Sequence, residues 1–528
     1  MSGSAPPVIS AARARAVLVV VALALMTVVS AVSGLNVALP SIARDTGATQ
    51  TELTWIVDAY TVVFAGLLLF AGALGDRYGR RPLLVIGLIV FGSAAVVGLF
   101  TTDPQALIGV RATMGLGAAA IMPTTLSVIT TSFAEEQRPQ AIGVWVGMAG
   151  GGAVLGLFGS GILLEFFSWS SFFGLNVVLA ALALIGTLAV VPTSVDADAP
   201  RLDLVGGVLS LVAVSGLVFG IIEGPTRGWG DTLTVASLSA GLAAGVGFVL
   251  WELRRRDPML DPRLFRIPAF GAGSLSITAQ FFAAFGFFFI VLQYLQFVLE
   301  YSPLQAALAL LPLPVVLMPV ARNAPKLLGR VGFRVLGPVG LVLMAGGFGV
   351  LSFLETEMRW PLFVGGIVLF AAGMGLAGTP ATTAITASLP PEKQGVASAV
   401  NDTARELGSA LGIAILGSAL NQAYRSSMAE AVTALPGPAA DRALESVAFT
   451  QSPEISRLGD AGQRLVAAGH HAFVDGVGTA VLIAAAGLLV AALTIWAWAR
   501  PTPHPAARPA PRDEARTDAD RGLEHAHD

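Results

Sequence analysis

Asp402, Arg405 and Glu406 fall within five residues of an otherwise apolar run, SAVNDTARELGSALGIAILGSAL from Ser398 to Leu420. Spacings of three and four place them along one face of a helix. Asp58 stands alone in WIVDAYTVVFAGLLL, and Arg111 opens RATMGLGAAAIMP. A charged group at membrane depth costs a few kcal/mol or more, so it faces a bundle interior or a watery path and marks where ions or substrates move. Desolvation favours the neutral carboxyl and a nearby cation favours the charged one, so such acids can titrate in the working range. One acid of the trio is expected to neutralise Arg405; the other, with Asp402 favoured, would exchange a proton or a cationic substrate. The bland alternatives are a charge network that only locks helix packing and, for Asp58, a carboxylate bonded to a neighbouring helix. Gln293, Tyr294 and Gln296 are the polar members of QFFAAFGFFFIVLQYLQF. That Phe-rich face either lines an apolar cavity with cation-attracting rings or packs against helices and lipid.

Such residues need a membrane around them, and the composition requires one: 55% of residues are hydrophobic and 12% charged, with a mean hydropathy of +0.75. The chain reads as an all-α integral membrane protein. At about 20 apolar residues per span, helices are expected near 16–38, 52–74, 82–101, 105–130, 140–164, 172–192, 204–223, 232–252, 268–298, 303–321, 335–354, 361–386, 395–420 and 474–498, fourteen in all. With the N-terminus inside, that side collects Arg13, Arg15, Arg77, Arg80, Arg81, Arg138, Arg201, Arg254, Arg255, Arg256, Arg263, Arg266, Arg322, Lys326, Arg330, Arg334 and Lys393, whereas the opposite short loops hold Arg44, Arg227 and Arg359. Both termini are therefore expected in the cytoplasm. The first apolar run has signal-peptide features, but the many later spans favour an uncleaved first helix.

The net charge of −3 is spread thinly, without a basic block for nucleic acid, and zero Cys with five His disfavours a metal site. No Gly-x-x-x-x-Gly-Lys-Ser/Thr phosphate loop occurs, which disfavours ATP-driven transport. Arg in place of Lys, with abundant Ala and Gly, points to a GC-rich bacterial genome. Residues 421–473 read as an extracellular loop of two short helices broken at PGP, and the Pro-rich, charged tail 499–528 reads as disordered.

Between spans two and three stands GALGDRYGRRP. Gly72, Gly75 and Gly79 permit a tight turn and close helix approach, and Asp76 beside Arg77, Arg80 and Arg81 makes a charge cluster at the membrane surface. The pattern Gly-x-x-x-Asp-Arg-x-Gly-Arg-Arg resembles the loop signature of the major facilitator superfamily. Arg111, Gly115 and Gly117 match its Arg-x-x-x-Gly-x-Gly pattern in span four. RRRDPMLDPRLFR, YLQFVLEYSPLQAALALLP and GVASAVNDTARELGSALGIAILGSAL extend the resemblance to the fourteen-span drug:proton antiporter family, and WIVDAYTVVFAGLLL with LLEFFSWSSFFGLN to its QacA and SmvA group of quaternary-ammonium exporters.

The resemblance implies two six-helix bundles around a central cavity: a cytoplasmic N-terminus 1–15, a first bundle 16–192, a linker 193–267 with two inserted spans, and a second bundle 268–498. It gives Asp58, Asp402 and Glu406 as proton-coupling or substrate-cation residues, with Arg111 and Arg405 as charge partners. Gly72, Asp76, Arg77, Gly79 and Arg80 become conformational gating residues, with Asp76 and Arg80 bonding across bundle ends. Gly152, Gly156 and Gly161 match the span-five antiporter motif. The chain departs from the pattern at Ala31, where an acid is usual, and at Leu157, where Pro is usual. The implied function is not enzymatic: a proton-coupled multidrug efflux transporter in the bacterial inner membrane, exporting lipophilic, cationic drugs or biocides by alternating access. Its partners would be a small-molecule substrate, protons and the bilayer, with no cofactor and no nucleic acid, and the sequence is compatible with a monomer. Export of one endogenous antibiotic or metabolite, and a non-transporting scaffold or sensor, are the alternatives.

Overall fold

The computed structural model describes residues 11–133, 137–195, 202–389 and 394–499. Residues 1–10, Arg201, Lys393 and the tail from 500, with the expectations that fall on them, lie outside the described residues. The chain begins with α1 (Ala11–Thr46), α2 (Gln50–Tyr78), α3 (Arg80–Gly98) and α4 (Pro104–Ser132). Next come α5 (Arg138–Val154), a π-helical turn (Leu155–Gly159), α6 (Ser160–Phe166), α7 (Ser171–Val190), α8 (Leu204–Arg227) and α9 (Thr232–Arg254). The second half holds α10 (Pro268–Gln293), a second π-helical turn (Tyr294–Val298), α11 (Pro303–Ala309), α12 (Pro312–Val331), α13 (Phe333–Leu351), α14 (Trp360–Thr386) and α15 (Gln394–Met428). Short helices α16 (Gly437–Glu445), α17 (Val447–Thr450) and α18 (Pro453–Ser456) lead to α19 (Asp460–Trp498).

The expected all-α membrane architecture is what forms. Among the described residues, twelve helices are long and apolar enough to cross a bilayer. The two further expected spans are helical as well. The one near 140–164 is divided into α5, the π turn and α6, and the one near 395–420 is α15, made polar by Asp402, Arg405 and Glu406. The region 421–473 differs from expectation. NQAYRSSMAEA carries no breaker, so its helix is the continuation of α15 to Met428; a 3-10 turn (Ala431–Ala434) follows, and α16 starts within PGP, at Gly437 with Pro436 before it.

Apolar burial does little to hold helices together in lipid, so backbone approach at small residues matters more. Gly340 and Gly373 meet between α13 and α14, as do Gly347 and Gly366, where a Cβ would stand 2.7 Å from the facing backbone oxygen. Gly87 and Gly117 do the same for α3 and α4. The caps are regular: Thr49 and Glu52 form a capping box on α2, and Asp103, Asp203 and Asp231 cap α4, α8 and α9. The inserted helix α8 packs beside the line where α2 meets α15, with Val218 and Ile222 against Val62, Ala410 and Ala414. The end of the molecule covered by α16–α18 is called the capped end below, and the end bearing the α2–α3 turn the motif end.

Candidate functional site

Asp58 is fully buried on α2. Thr61 Oγ1 donates to Asp58 Oδ1 at 2.5 Å, one turn along the same helix, while Oδ2 is buried with no hydrogen-bond partner. Among the described residues its bonding stays within α2, so the reading of Asp58 as a clamp to a neighbouring helix finds no support. Arg111, fully buried on α4, donates Nε to Ile56 O at 3.1 Å and Nη1 to Ala31 O at 3.3 Å. Its guanidinium lies 4.2 Å from the Tyr60 ring centroid, and Nη2 has no hydrogen-bond partner. At the position where the family pattern has an acid, a backbone carbonyl and an aromatic face hold the cation instead. Tyr60 was not singled out by sequence. Its hydroxyl donates to Val28 O at 3.2 Å, and the phenol lies within electrostatic reach of both Arg111 and Glu406. Gly115 held the signal: a Cβ there would stand 3.0 Å from the Tyr60 Cα, so the glycine four residues past Arg111 exists to seat α4 on the Tyr60 backbone.

On α15, Asn401 and Asp402 are buried, and Asn401 Oδ1 accepts from Thr382 Oγ1 of α14 at 3.3 Å. Arg405 and Glu406 are half-buried. The expected ion pair is absent: Arg405 forms no salt bridge with Asp402 or Glu406. Its guanidinium instead lies 5.2 Å from the Phe281 ring centroid on α10, with Nε buried and without a hydrogen-bond partner. The cause is packing. Gly408 and Gly412 press α15 against Phe282, where a Cβ at Gly412 would stand 2.9 Å from the Phe282 Cα, and this brings the α10 rings under the Arg side chain. The remaining phenylalanines largely pack, Phe287 stacking on Phe370 at 4.9 Å and Phe370 meeting Phe348 at 5.1 Å. Across the molecule α15 touches α2, Gly417 lying against Thr54. Asp58 and the Asp402–Glu406 pair thus belong to two helices that meet directly.

At the motif end Asp76 Oδ1 accepts Nε and Nη2 of Arg80 at 3.1 and 2.9 Å. The pair is local to the α2–α3 turn, and among the described residues neither side chain bonds to the second half of the chain. Gly79, at φ 113°, makes that turn in a region a side chain rarely adopts. Arg80 N donates to Ser194 O and Arg81 Nη2 to Leu188 O, tying the turn to the end of α7. Gly72 faces Pro123 at an ordinary 3.6 Å, and exposed Arg77 lies 5.9 Å from the Tyr78 ring.

The antiporter-motif glycines are all contact points. A Cβ at Gly152 would stand 3.0 Å from the Met26 Cα, one at Gly156 2.8 Å from the Ser30 Cα, and one at Gly161 3.2 Å from the Ala307 Cβ. Leu157, where Pro is usual, sits inside the first π turn, so the irregularity in this helix comes from an extra residue in the turn.

Gln293, Tyr294 and Gln296 are fully buried at the second π turn and line no open space. Gln293 Nε2 donates to Phe289 O in its own helix, and Tyr294 Oη donates to Glu355 O at 2.8 Å. Gln296 joins the two halves of the chain: its Nε2 donates to Val37 O at 3.0 Å, and its carbonyl accepts Arg44 Nη2 at 2.6 Å. Arg44 also lies 5.4 Å from the Phe297 ring. Asn421 donates to Thr51 and Ser446 to Ala48 O, completing a clasp at the capped end.

Asp58 and Asp402 are thus buried acids on two helices that meet, Arg111 is a buried cation held against Tyr60, and the clasp joins the halves at the capped end. A model of the Major Facilitator Superfamily matches residues 21–413. The chain is 33% identical over 473 residues to the multidrug resistance protein Stp of Mycobacterium tuberculosis, covering 88% of each. It is 32% identical over 484 residues to the methyl viologen resistance protein SmvA of Salmonella typhimurium, covering 91% of this chain and 97% of that one. Its fold is similar to the crystal structure of a bacterial homolog of the human lysosomal transporter Spinster, with a TM-score of 0.64 at 19% identity, over 94% of this chain and all of that one. From this family match and these relatives, the chain belongs to the major facilitator superfamily of membrane transporters.

Proposed function

We propose that this protein is a proton-coupled exporter of lipophilic cations, working by alternating access in the bacterial inner membrane with the capped end outside. The observation that carries the reading is the Asp58 carboxyl, fully buried with Oδ2 unpartnered, on a helix that packs against the one bearing Asp402 and Glu406. A carboxylate with one oxygen left unpartnered in such surroundings gains from taking up either a proton or a cation, and a group that accepts either one exchanges them. Protonation from outside releases the substrate there; deprotonation inside re-forms the cation site. The resistance named for SmvA and Stp supports export of foreign compounds as the task. The proton gradient alone would supply the energy.

Everted vesicles test this. Addition of an aromatic quaternary ammonium compound to energised vesicles should dissipate the proton gradient in a way that depends on the protein, and Asp58→Asn should abolish the response. No dissipation by cationic or neutral compounds would leave a scaffold or sensor as the better reading.

A further inference from the structure

One helix carries a row of cations apart from the acids of the proposed exporter site. From the residue that precedes it, the exposed stripe of α12 runs Leu311, Val315, Met318, Arg322, Lys326, Arg330, mostly one helical turn per step. Its first half is apolar and its second half is wholly basic. None of the three cations has an ion-pair or hydrogen-bond partner among the described residues. Beside them lie two grooves of about 470 and 450 Å³, one bordered by Met318, Arg322 and Lys326, the other by Lys326, Arg330 and Leu376 of α14. The opposite side of α12 is spoken for: a Cβ at Gly375 of α14 would stand 3.0 Å from Leu317 O.

We propose that this stripe is a binding site for an anionic phospholipid, its acyl chains lying along Val315 and Met318 and its phosphate among Arg322, Lys326 and Arg330. The change from apolar to basic along one exposed face matches a lipid's own profile from tail to headgroup. The basic stretch from Arg322 to Arg330 covers about 12 Å at about 1.5 Å per residue, the reach of one headgroup and its neighbour. Three unpaired cations in the last turns of a membrane-spanning helix call for negative charge, and an anionic headgroup brings it at that depth. A water-filled path serving a soluble anion would not need the apolar half.

The proposal is tested without transport, by native mass spectrometry of the purified full chain titrated with dioleoyl phosphatidylglycerol or dioleoyl phosphatidylcholine. The wild-type protein should prefer phosphatidylglycerol. The variant R322Q/K326Q/R330Q should weaken that lipid by roughly a hundredfold, from about fivefold per cation near an anionic surface, with no change for phosphatidylcholine. K326Q alone should weaken it about fivefold, which keeps the test open if the triple variant fails to fold, and R322K/R330K, which keeps both charges, should retain the wild-type preference. Unchanged phosphatidylglycerol binding in K326Q and the triple variant would overturn the proposal. So would displacement of the lipid by glycerol phosphate at equal concentration, because the site would then recognise a soluble anion.

Discussion

If the capped end must separate for substrate to leave, the Arg44–Gln296 clasp opposes that separation, and its strength is open to measurement. Arg44→Ala deletes the 2.6 Å bond to Gln296 O and the contact with Phe297 at 5.4 Å. Arg44 is exposed, so the hydrogen bond contributes about 1 kcal/mol and the ring contact about 0.5 kcal/mol. Their loss should raise the population of the separated state by roughly tenfold. The native chain has no Cys, so Thr54→Cys introduces a single thiol. Thr54 is 2% exposed and lies under Gly417 where α2 meets α15, and it should be reachable only when the two helices part. A membrane-impermeant maleimide added to whole cells should label Thr54→Cys about ten times faster when Arg44→Ala is also present. Gln296→Ala, which loses the bond to Val37 O, should act in the same direction. An equal rate with and without Arg44→Ala, in protein that melts at the same temperature, would refute the clasp. Acceleration in everted vesicles of the same size would show general loosening instead of opening at one end.

Asp76→Asn breaks a partly exposed pair four residues apart, worth about 0.5 kcal/mol, so expression and substrate binding should hold; a fall in efflux would assign the turn a gating role, and unchanged efflux would leave it as topology. Because Arg405 is not paired with either acid, Asp402→Asn and Glu406→Gln should both escape the roughly 3–5 kcal/mol loss of a broken buried pair. Thermal melting checks this, and substrate-driven proton release then tells which acid couples. Asp58→Asn should lower resistance to cationic compounds more than to neutral ones in growth assays. Gly156→Val should cost about 1–3 kcal/mol or more by forcing atoms against Ser30, whereas Gly150→Ala on the same helix, with nothing within 4 Å, should be neutral or stabilising by yield of folded protein.

The span pattern was legible because lipid imposes one simple demand, an apolar run of fixed length, and the chain meets it almost everywhere. Asp58 and Arg111 were legible for the opposite reason, as charges where lipid tolerates few. What spacing along one helix could not show was partnership between helices. Arg405 has two acids within reach on its own helix, yet it turns to a ring on α10 because Gly408 and Gly412 bring that ring close. With Ala31 in place of the usual acid the sequence named no partner for Arg111, and carbonyls of α1 and α2 with the Tyr60 face take that place. Gln296 stood open between cavity lining and packing because period and polarity say nothing about a π turn, and within that turn it bonds to Val37.

The first π turn has a further bearing on this helix. One residue inserted into an α-helical turn rotates everything after it by about 100° relative to what precedes it. Gly156 lies within that turn and Gly161 beyond it, and the two meet different partners, Ser30 of α1 and Ala307 of α11. The turn therefore acts as a phase shifter, setting which neighbour each glycine addresses. Excising Phe158 would shorten the chain by one residue and leave every remaining side chain's chemistry unchanged, yet it would swing Gly161 away from α11 by about a quarter turn. In such a segment, length by a single residue is as much a specificity determinant as the identity of any side chain.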